Sequence, residues 1–493
     1  MLVAPLRRLF FAHPSALAFA LCLIALAPVQ AAQAAPAALP AEVAAALDTA
    51  QVPPDAMVAY VQEVGAARPL LAWRPDEPVN PASLMKLLTT YAGLDLLGPA
   101  WTWATPVWLQ GAVHDGVLEG NLVIKGTGDP KLVLERVWLL LRRVQQLGVR
   151  EIQGDIVLDR SAFSAPTQNP ADFDGEPRRP YNVGADALLL NQKSVLLTFT
   201  PDLARGLAQV AAEPPMETAQ VDSSVPLTAG PCDDWHATLK PDTSDAAHTH
   251  FAGSFPLACG EKQWPLADAD PASYNERLLR HLWRELGGTL EGRVRDGLAP
   301  NTPPSFELAS PSMAEVVRDI NKFSNNVMAQ QLFLTLGLTQ RGSGTPQAAR
   351  AVLRQWLGER FGRAADVAVI DNGSGLSRDG RVSARLLARL LQSAWAGPVM
   401  PELLASLPVP GLDGTLRKAR VAVGRAHLKT GSLRDVVGVA GYVLSRSGHR
   451  YAVVGIVNHA NSSLARPALE ALVEWVSGDA LTPSARAPTA QNR

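Results

Sequence analysis

Two separated stretches of this chain share one texture, and the long stretch between them has another. Near the start, Met57 to Glu63 and Leu70 to Trp73 read as short strands joined by the turn Gly65-Ala66-Ala67. A helical pattern runs from Ser83 to Leu97, with Leu84, Leu87, Leu88 and Tyr91 at i, i+3, i+4 and i+7. Asn80 can cap it, Pro81 is tolerated in a first turn, and Gly98-Pro99 stops it. From about residue 306 helices return. Ser312-Met313-Ala314-Glu315 is a capping box opening a helix that carries Val316, Val317, Ile320 and Phe323. Ser324-Asn325-Asn326 interrupts it, a second apolar helix runs from Val327 to Leu336, and Thr345-Pro346 and Ser383 start two more. Three strands follow, Ala426 to Thr430, Val436 to Leu444 and Tyr451 to Asn458, then an amphipathic helix, Leu464 to Val476. Neither stretch can cover its own apolar faces. Together they make one five-stranded antiparallel sheet flanked by helices, an α/β (α+β) core into which the β-rich middle is inserted.

At 493 residues the chain exceeds one ordinary domain. The expected organisation is a signal peptide over 1–34, a catalytic part over 35–97 plus 306–482, and a β-rich insert over 98–305. The insert itself is expected to nest an inner domain at roughly 160–270, and 483–493 is expected to be a disordered tail. The signal reading rests on Arg7 and Arg8 before the apolar run Ala16 to Ala27, followed by small residues around Ala31 and Ala34. It implies export. Once that leader is removed two cysteines remain, Cys232 and Cys259, expected to pair in an oxidising compartment. His236, His248 and His250 fall in a polar stretch read as a surface loop, so no metal and no cofactor is expected. A net charge of -1 gives no reason to expect nucleic acid as a partner.

The chemistry lies in three short motifs. Ser83-Leu84-Met85-Lys86 puts a hydroxyl and an amine on one helical face, at a helix start where free N–H groups can stabilise an oxyanion. The lysine serves as a base only if its surroundings lower its pKa from about 10.4, which apolar burial and a nearby cation both do. Alone, such a spacing arises by chance about once in a chain of this length. Ser324-Asn325-Asn326, between two helices, can project polar groups into a cleft. Lys429-Thr430-Gly431-Ser432 ends a strand, where glycine allows close backbone approach and the edge can accept an extended peptide.

These motifs, in this order and context, resemble the signature of penicillin-binding proteins and serine β-lactamases. The separation of 238 positions from Lys86 to Ser324 narrows the resemblance to the D-alanyl-D-alanine carboxypeptidase/endopeptidase family of the penicillin-binding protein 4 type, which carries large inserted domains there. Asp371-Asn372-Gly373-Ser374-Gly375-Leu376-Ser377-Arg378 and Lys125-Gly126-Thr127-Gly128-Asp129-Pro130 are similar to two further stretches of that family. The resemblance implies Ser83 as nucleophile, Lys86 as its base, Ser324 as a proton relay and Asn326 as a substrate hydrogen-bond partner. It implies that Lys429 and Thr430 bind a carboxylate, and that the N–H groups of Ser83 and Ser432, beside Gly431, form the oxyanion hole. Arg378 and Asp174, in Asp172-Phe173-Asp174, are implied to contact the free end of a diaminopimelate side chain; Arg434 departs from the family pattern. The implied partners are peptidoglycan peptides ending in D-Ala or cross-linked through D-Ala, with β-lactams as inhibitors. The implied location is the periplasm, with peripheral membrane contact left open. The alternatives are a serine β-lactamase or esterase with the same trio, and a non-catalytic wall-binding relative. A Ser-His-Asp hydrolase is set aside because Gly373-Ser374-Gly375 lacks the spacing of a nucleophile elbow and reads as a turn.

Overall fold

The computed structural model describes residues 38–165, 169–216, 220–242, 245 and 248–478. The expected signal peptide and the whole of the expected tail lie outside these residues. Among the described residues no helix is long and apolar enough to cross a membrane, and no group of His, Cys, Asp and Glu could hold a metal ion.

The two end segments meet in one five-stranded antiparallel sheet. Its order is Ala426–Leu433, Val436–Leu444, Arg450–Asn458, Met57–Glu63, Leu71–Trp73. The middle strands are buried along nearly their whole length because both faces are covered. One face carries Val58, Tyr60, Ala440, Tyr442, Val454 and Ile456 into the main core with helices Met85–Leu97, Asn326–Arg341 and Ala384–Ala396. The other meets helix Arg466–Ser477: a Cβ added at Gly455 would touch Leu469 and Leu472. That helix is in turn backed by Ala41–Thr49, whose Val43 and Leu47 are buried. The sequence pattern did not announce this N-terminal helix, since two buried apolar positions among alanines leave little periodicity to detect.

Helix Met85–Leu97 is the centre of the core. Every residue from Met85 to Leu94 is buried, beyond the four-residue stripe the sequence showed. A helix apolar all round belongs in the interior. Ser83 lies just ahead of it, in the 3-10 turn Ala82–Leu84, so the Ser-x-x-Lys spacing spans a turn and the first α-helical residues.

Among the described residues the insert holds three sheets. A seven-stranded one is built on Ala104–His114 and Val117–Lys125, with helices Leu134–Gln146 and Tyr274–Glu285 closing its core. Phe306–Ala309 pairs with Ala104–Val107 in this sheet, so the insert's pairing extends past the expected boundary at 305. A five-stranded sheet between Ser194 and Ala267 and a three-stranded one share a core of Phe199, Trp235, Phe251 and Phe255, beside the Cys232–Cys259 disulfide. His248 and His250 are not in a loop: they lie on strand His248–Phe251, and both rings meet the Asp222 carboxylate, at 3.0 and 2.6 Å. Alternating polar and apolar residues are what a half-exposed strand shows, and the short run had hidden it. The Gly126–Pro130 turn ties the insert together, with Gly128 N donating to the Ala187 carbonyl at 2.8 Å.

Gly375 has φ of 79°, and a Cβ there would come within 1.9 Å of the Ala82 carbonyl. Gly375→Ala is therefore expected to lose more than ~1 kcal/mol of stability and to displace the turn that carries Ser83. Thermal unfolding together with the rate of acylation by a β-lactam checks both effects.

Candidate active site

The three motifs converge on one cleft. The Ser83 turn is shaped by its flanks: Asn80 Oδ1 accepts from Ala82 N at 2.9 Å, and Ala82 is held at φ 47°. Ser324, between helices Met313–Lys322 and Asn326–Arg341, sits at φ 56°. Left-handed backbone is unusual for residues other than glycine and costs about 1–3 kcal/mol each, sustained here by the surrounding packing. The sheet's edge strand supplies Lys429 to Ser432, and a Cβ on Gly431 would lie 2.7 Å from the Pro81 carbonyl. Glycine is what lets the strand approach the nucleophile turn.

Lys86 is fully buried. Its Nζ lies 2.9 Å from Ser83 Oγ, 2.5 Å from Asn326 Oδ1 and 2.6 Å from the Ser374 carbonyl. A neutral amine has two N–H donors and one lone pair. Asn326 Oδ1 and Ser374 O are acceptors that take the two N–H groups, which leaves the lone pair for the Ser83 hydroxyl. Burial first, and then the charge of Lys429, hold Lys86 well below the usual lysine range. Lys429, also fully buried, is brought down to about 7 by burial. Its Nζ donates to Ser324 Oγ at 2.8 Å and to the Thr430 carbonyl at 2.6 Å. An ammonium there keeps a third N–H for a ligand anion.

Residues 39–478 match the D-Ala-D-Ala carboxypeptidase 3 (S13) family. The chain belongs to that family. It is 25% identical over 392 residues to the D-alanyl-D-alanine carboxypeptidase DacB of Haemophilus influenzae, covering 76% of this chain and 80% of that one. It is 28% identical over 419 residues to the D-alanyl-D-alanine carboxypeptidase of Actinomadura sp., covering 80% and 76%. The crystal structure of penicillin binding protein 4 (dacB) from Haemophilus influenzae shares its fold, with a TM-score of 0.69 at 19% identity over 88% of this chain and 99% of that one.

In this S13 chain Arg378 and Asp174 are engaged by other groups, and the Arg378 carbonyl accepts from Asn80 Nδ2 at 3.3 Å. The Arg378 guanidinium stacks 4.7 Å over the Phe173 ring. Desolvation is the largest single effect on the Asp174 carboxyl and pushes its pKa up, but hydrogen bonds from Tyr181, Asn182 and the Glu176 N–H, with the charge of Arg179, together outweigh it and hold the pKa below the usual carboxylate range. Asp174 is thus committed to its own loop, and Phe173 is the residue that meets Arg378. Arg434 lies exposed in the hairpin between the strands ending at Leu433 and starting at Val436, away from Lys86.

Two contributors escaped the sequence reading. Ser374, read as part of a turn, is fully buried and offers its carbonyl to Lys86; Asn372 fixes it by accepting from its N–H and its hydroxyl. The glycines on either side were the visible signal, but which backbone oxygen they aim is a tertiary fact. Thr415 lies 2.9 Å from Thr430, hydroxyl to hydroxyl. It sits in a Pro/Gly-rich segment without a motif.

The two lysines set a pH profile. Lys86 must be neutral to act as a base, so kcat/KM rises as pH passes its depressed pKa. Lys429 must be charged to hold an anion, so kcat/KM falls above about 7. Lys429→Gln removes the cation that lowers Lys86, and the rising limb is expected to move to higher pH. A rising limb unmoved in this variant, read from the pH dependence of β-lactam acylation, contradicts the coupling.

Proposed function

We propose that this S13 peptidase cleaves peptidoglycan stem peptides as a serine-type D-Ala-D-Ala carboxypeptidase and DD-endopeptidase, through an acyl-enzyme on Ser83. The observation that carries the reading is the arrangement at Lys86 Nζ: two fixed acceptors, and one hydroxyl left facing the lone pair. Lys86 takes the Ser83 proton as Oγ adds to the D-alanyl carbonyl carbon. The oxyanion is received by the N–H groups of Ser83 and Ser432, which line the same cavity. The C–N bond then breaks, and the proton taken up by Lys86 is relayed through Ser324, bonded to Lys429, to the leaving nitrogen, which returns Lys86 to its neutral form and Ser324 to its hydroxyl. Asn326 holds the peptide, and Lys429 with Thr430 binds the carboxylate beside the scissile bond. Water hydrolyses the ester and restores the Ser83 hydroxyl, so one water is consumed per bond cut.

The structure named for Haemophilus influenzae penicillin binding protein 4 includes a complex with a β-lactam. The same amide mimicry leads us to assign β-lactams as acylating inhibitors here. Export to the periplasm fits this substrate. The domain reading kept is a catalytic part from the two end segments, 35–97 and up to 482, around the insert, with strand Phe306–Ala309 assigned to the insert.

Labelled penicillin is expected to leave a persistent adduct on Ser83, absent in Ser83→Ala. Ser83→Ala is expected to lose at least 10³-fold of its activity on purified peptidoglycan, in the range seen when a triad nucleophile is removed. Rapid turnover of the adduct would point to a β-lactamase, and undiminished digestion by Ser83→Ala to a non-catalytic role for the site.

A further inference from the structure

The cleft does not end at Thr430. A cavity of about 340 Å³ starts at Ser83 and Ser324, passes Thr430 and Ser432, and continues beneath residues 410–421 to helix Arg466–Ser477. Past Thr430 its walls are apolar: Leu416, Ala419, Val421, Val437, Val439 and Leu469. At the far end stand Arg466 and Glu470, exposed, oppositely charged and one helical turn apart. No ion pair holds either of them among the described residues.

The covering segment is pinned at several points. Lys322 Nζ donates to the Leu407 carbonyl and to Asp413 Oδ2, each at 2.6 Å. Gly414, at φ 56°, packs where a Cβ would lie 2.5 Å from the Lys322 carbonyl. Thr415 meets Thr430, and Ala422 N donates to Glu474 at 3.2 Å. The hollow is therefore a formed feature of the fold and continuous with the nucleophile.

We propose that this hollow is the subsite for the leaving group and selects a leaving amine with an extended aliphatic side chain, as in a cross-linked strand, over D-alanine. The proposal rests on the acyl-enzyme reading above. In both reactions the nitrogen that departs carries a carboxylate on the adjacent carbon, and Lys429 with Thr430 receives it in either case. The substrates differ in the side chain at that carbon. D-Alanine has a methyl, which reaches only the mouth of the hollow. The diamino acid of a cross-link has a run of methylenes ending in a second centre whose amino and carboxyl groups are in amide bonds, presenting N–H groups and carbonyl oxygens. The methylenes match the apolar walls, and the two polar functions match Arg466 and Glu470. Each methylene buried there contributes roughly fourfold to binding. The charges, being exposed, add little beyond orientation.

The decisive measurement uses the wild-type chain and donor peptides that differ only after the penultimate D-alanine. Terminal D-norleucine is expected to be released with kcat/KM at least tenfold above terminal D-alanine. A cross-linked dimeric muropeptide is expected to exceed the D-alanine-terminated peptide by a similar factor. Ala419→Trp, which fills the hollow, is expected to reduce cleavage of the dimer at least tenfold more than release of D-alanine. Arg466→Ala is expected to raise KM for the dimer with kcat little changed. Equal or faster release of D-alanine relative to D-norleucine overturns the subsite whatever the variants do. If penicillin still acylates Ser83 in that event, only the subsite fails; if acylation is absent as well, the acyl-enzyme reading fails with it.

Discussion

A lysine amine with no access to water is the constraint on which this architecture turns. Lys86 sits on a helix that is buried on every side from Met85 to Leu94. Burying an ammonium there carries a cost of several kcal/mol, whereas a neutral amine with its hydrogen bonds made is tolerated. The protein supplies those bonds from distant parts of the chain: Asn326 Oδ1 from a helix start and the Ser374 carbonyl from a Gly-rich turn. Lys429, equally buried, adds the Coulombic push. The base is therefore a property of the whole core, since loosening any of these elements readmits water or removes an acceptor.

The same constraint explains where strain and glycine are found. Ala82 and Ser324 are held in left-handed conformations on either side of the amine. Gly375 and Gly431 are the positions at which backbone is pressed against the Ser83 turn, and in both a side chain would meet a carbonyl oxygen. The sheet contributes its edge strand to the motif side of the cleft, and the next strand lines the hollow beyond it with Val437 and Val439. An edge leaves N–H and C=O groups free, so the strand that carries Lys429 and Thr430 also offers a surface onto which an extended peptide can add. The segment that rounds this edge, pinned at Lys322 and Glu474, closes the far side of the cleft.

Much of this was legible in the sequence, for specific reasons. Ser312 and Glu315 form the capping box the sequence showed, Thr345 and Ser383 cap their helices, and strand Val436–Leu444 has its expected bounds. Local hydrogen bonding dictates these features, and local sequence encodes them. The helix Ala41–Thr49 was missed because its stability comes from docking onto the last helix, which its own pattern does not display. The strand with His248 and His250 was missed because four residues carry too little alternation. The pairing of Phe306–Ala309 was not visible in the sequence because it is decided by a partner some two hundred residues earlier.

The sequence by itself determined which chemical groups are present and that they belong together. Ser83, Lys86, Ser324, Asn326 and Lys429 fall in three motifs whose order and contexts exclude coincidence, and the long insert between them marks the family. Tertiary structure decided what those groups are able to do. Distances of 2.5 to 2.9 Å around one nitrogen fix the direction of its lone pair. Packing chose Phe173 over Asp174 as the neighbour of Arg378, and the folding of residues 410–421 across a sheet edge opened a hollow that no motif announces. The physical reason is the same throughout. A side chain's identity is written at its own position, but its protonation, its partners and the space before it are set by residues the chain brings back from far away.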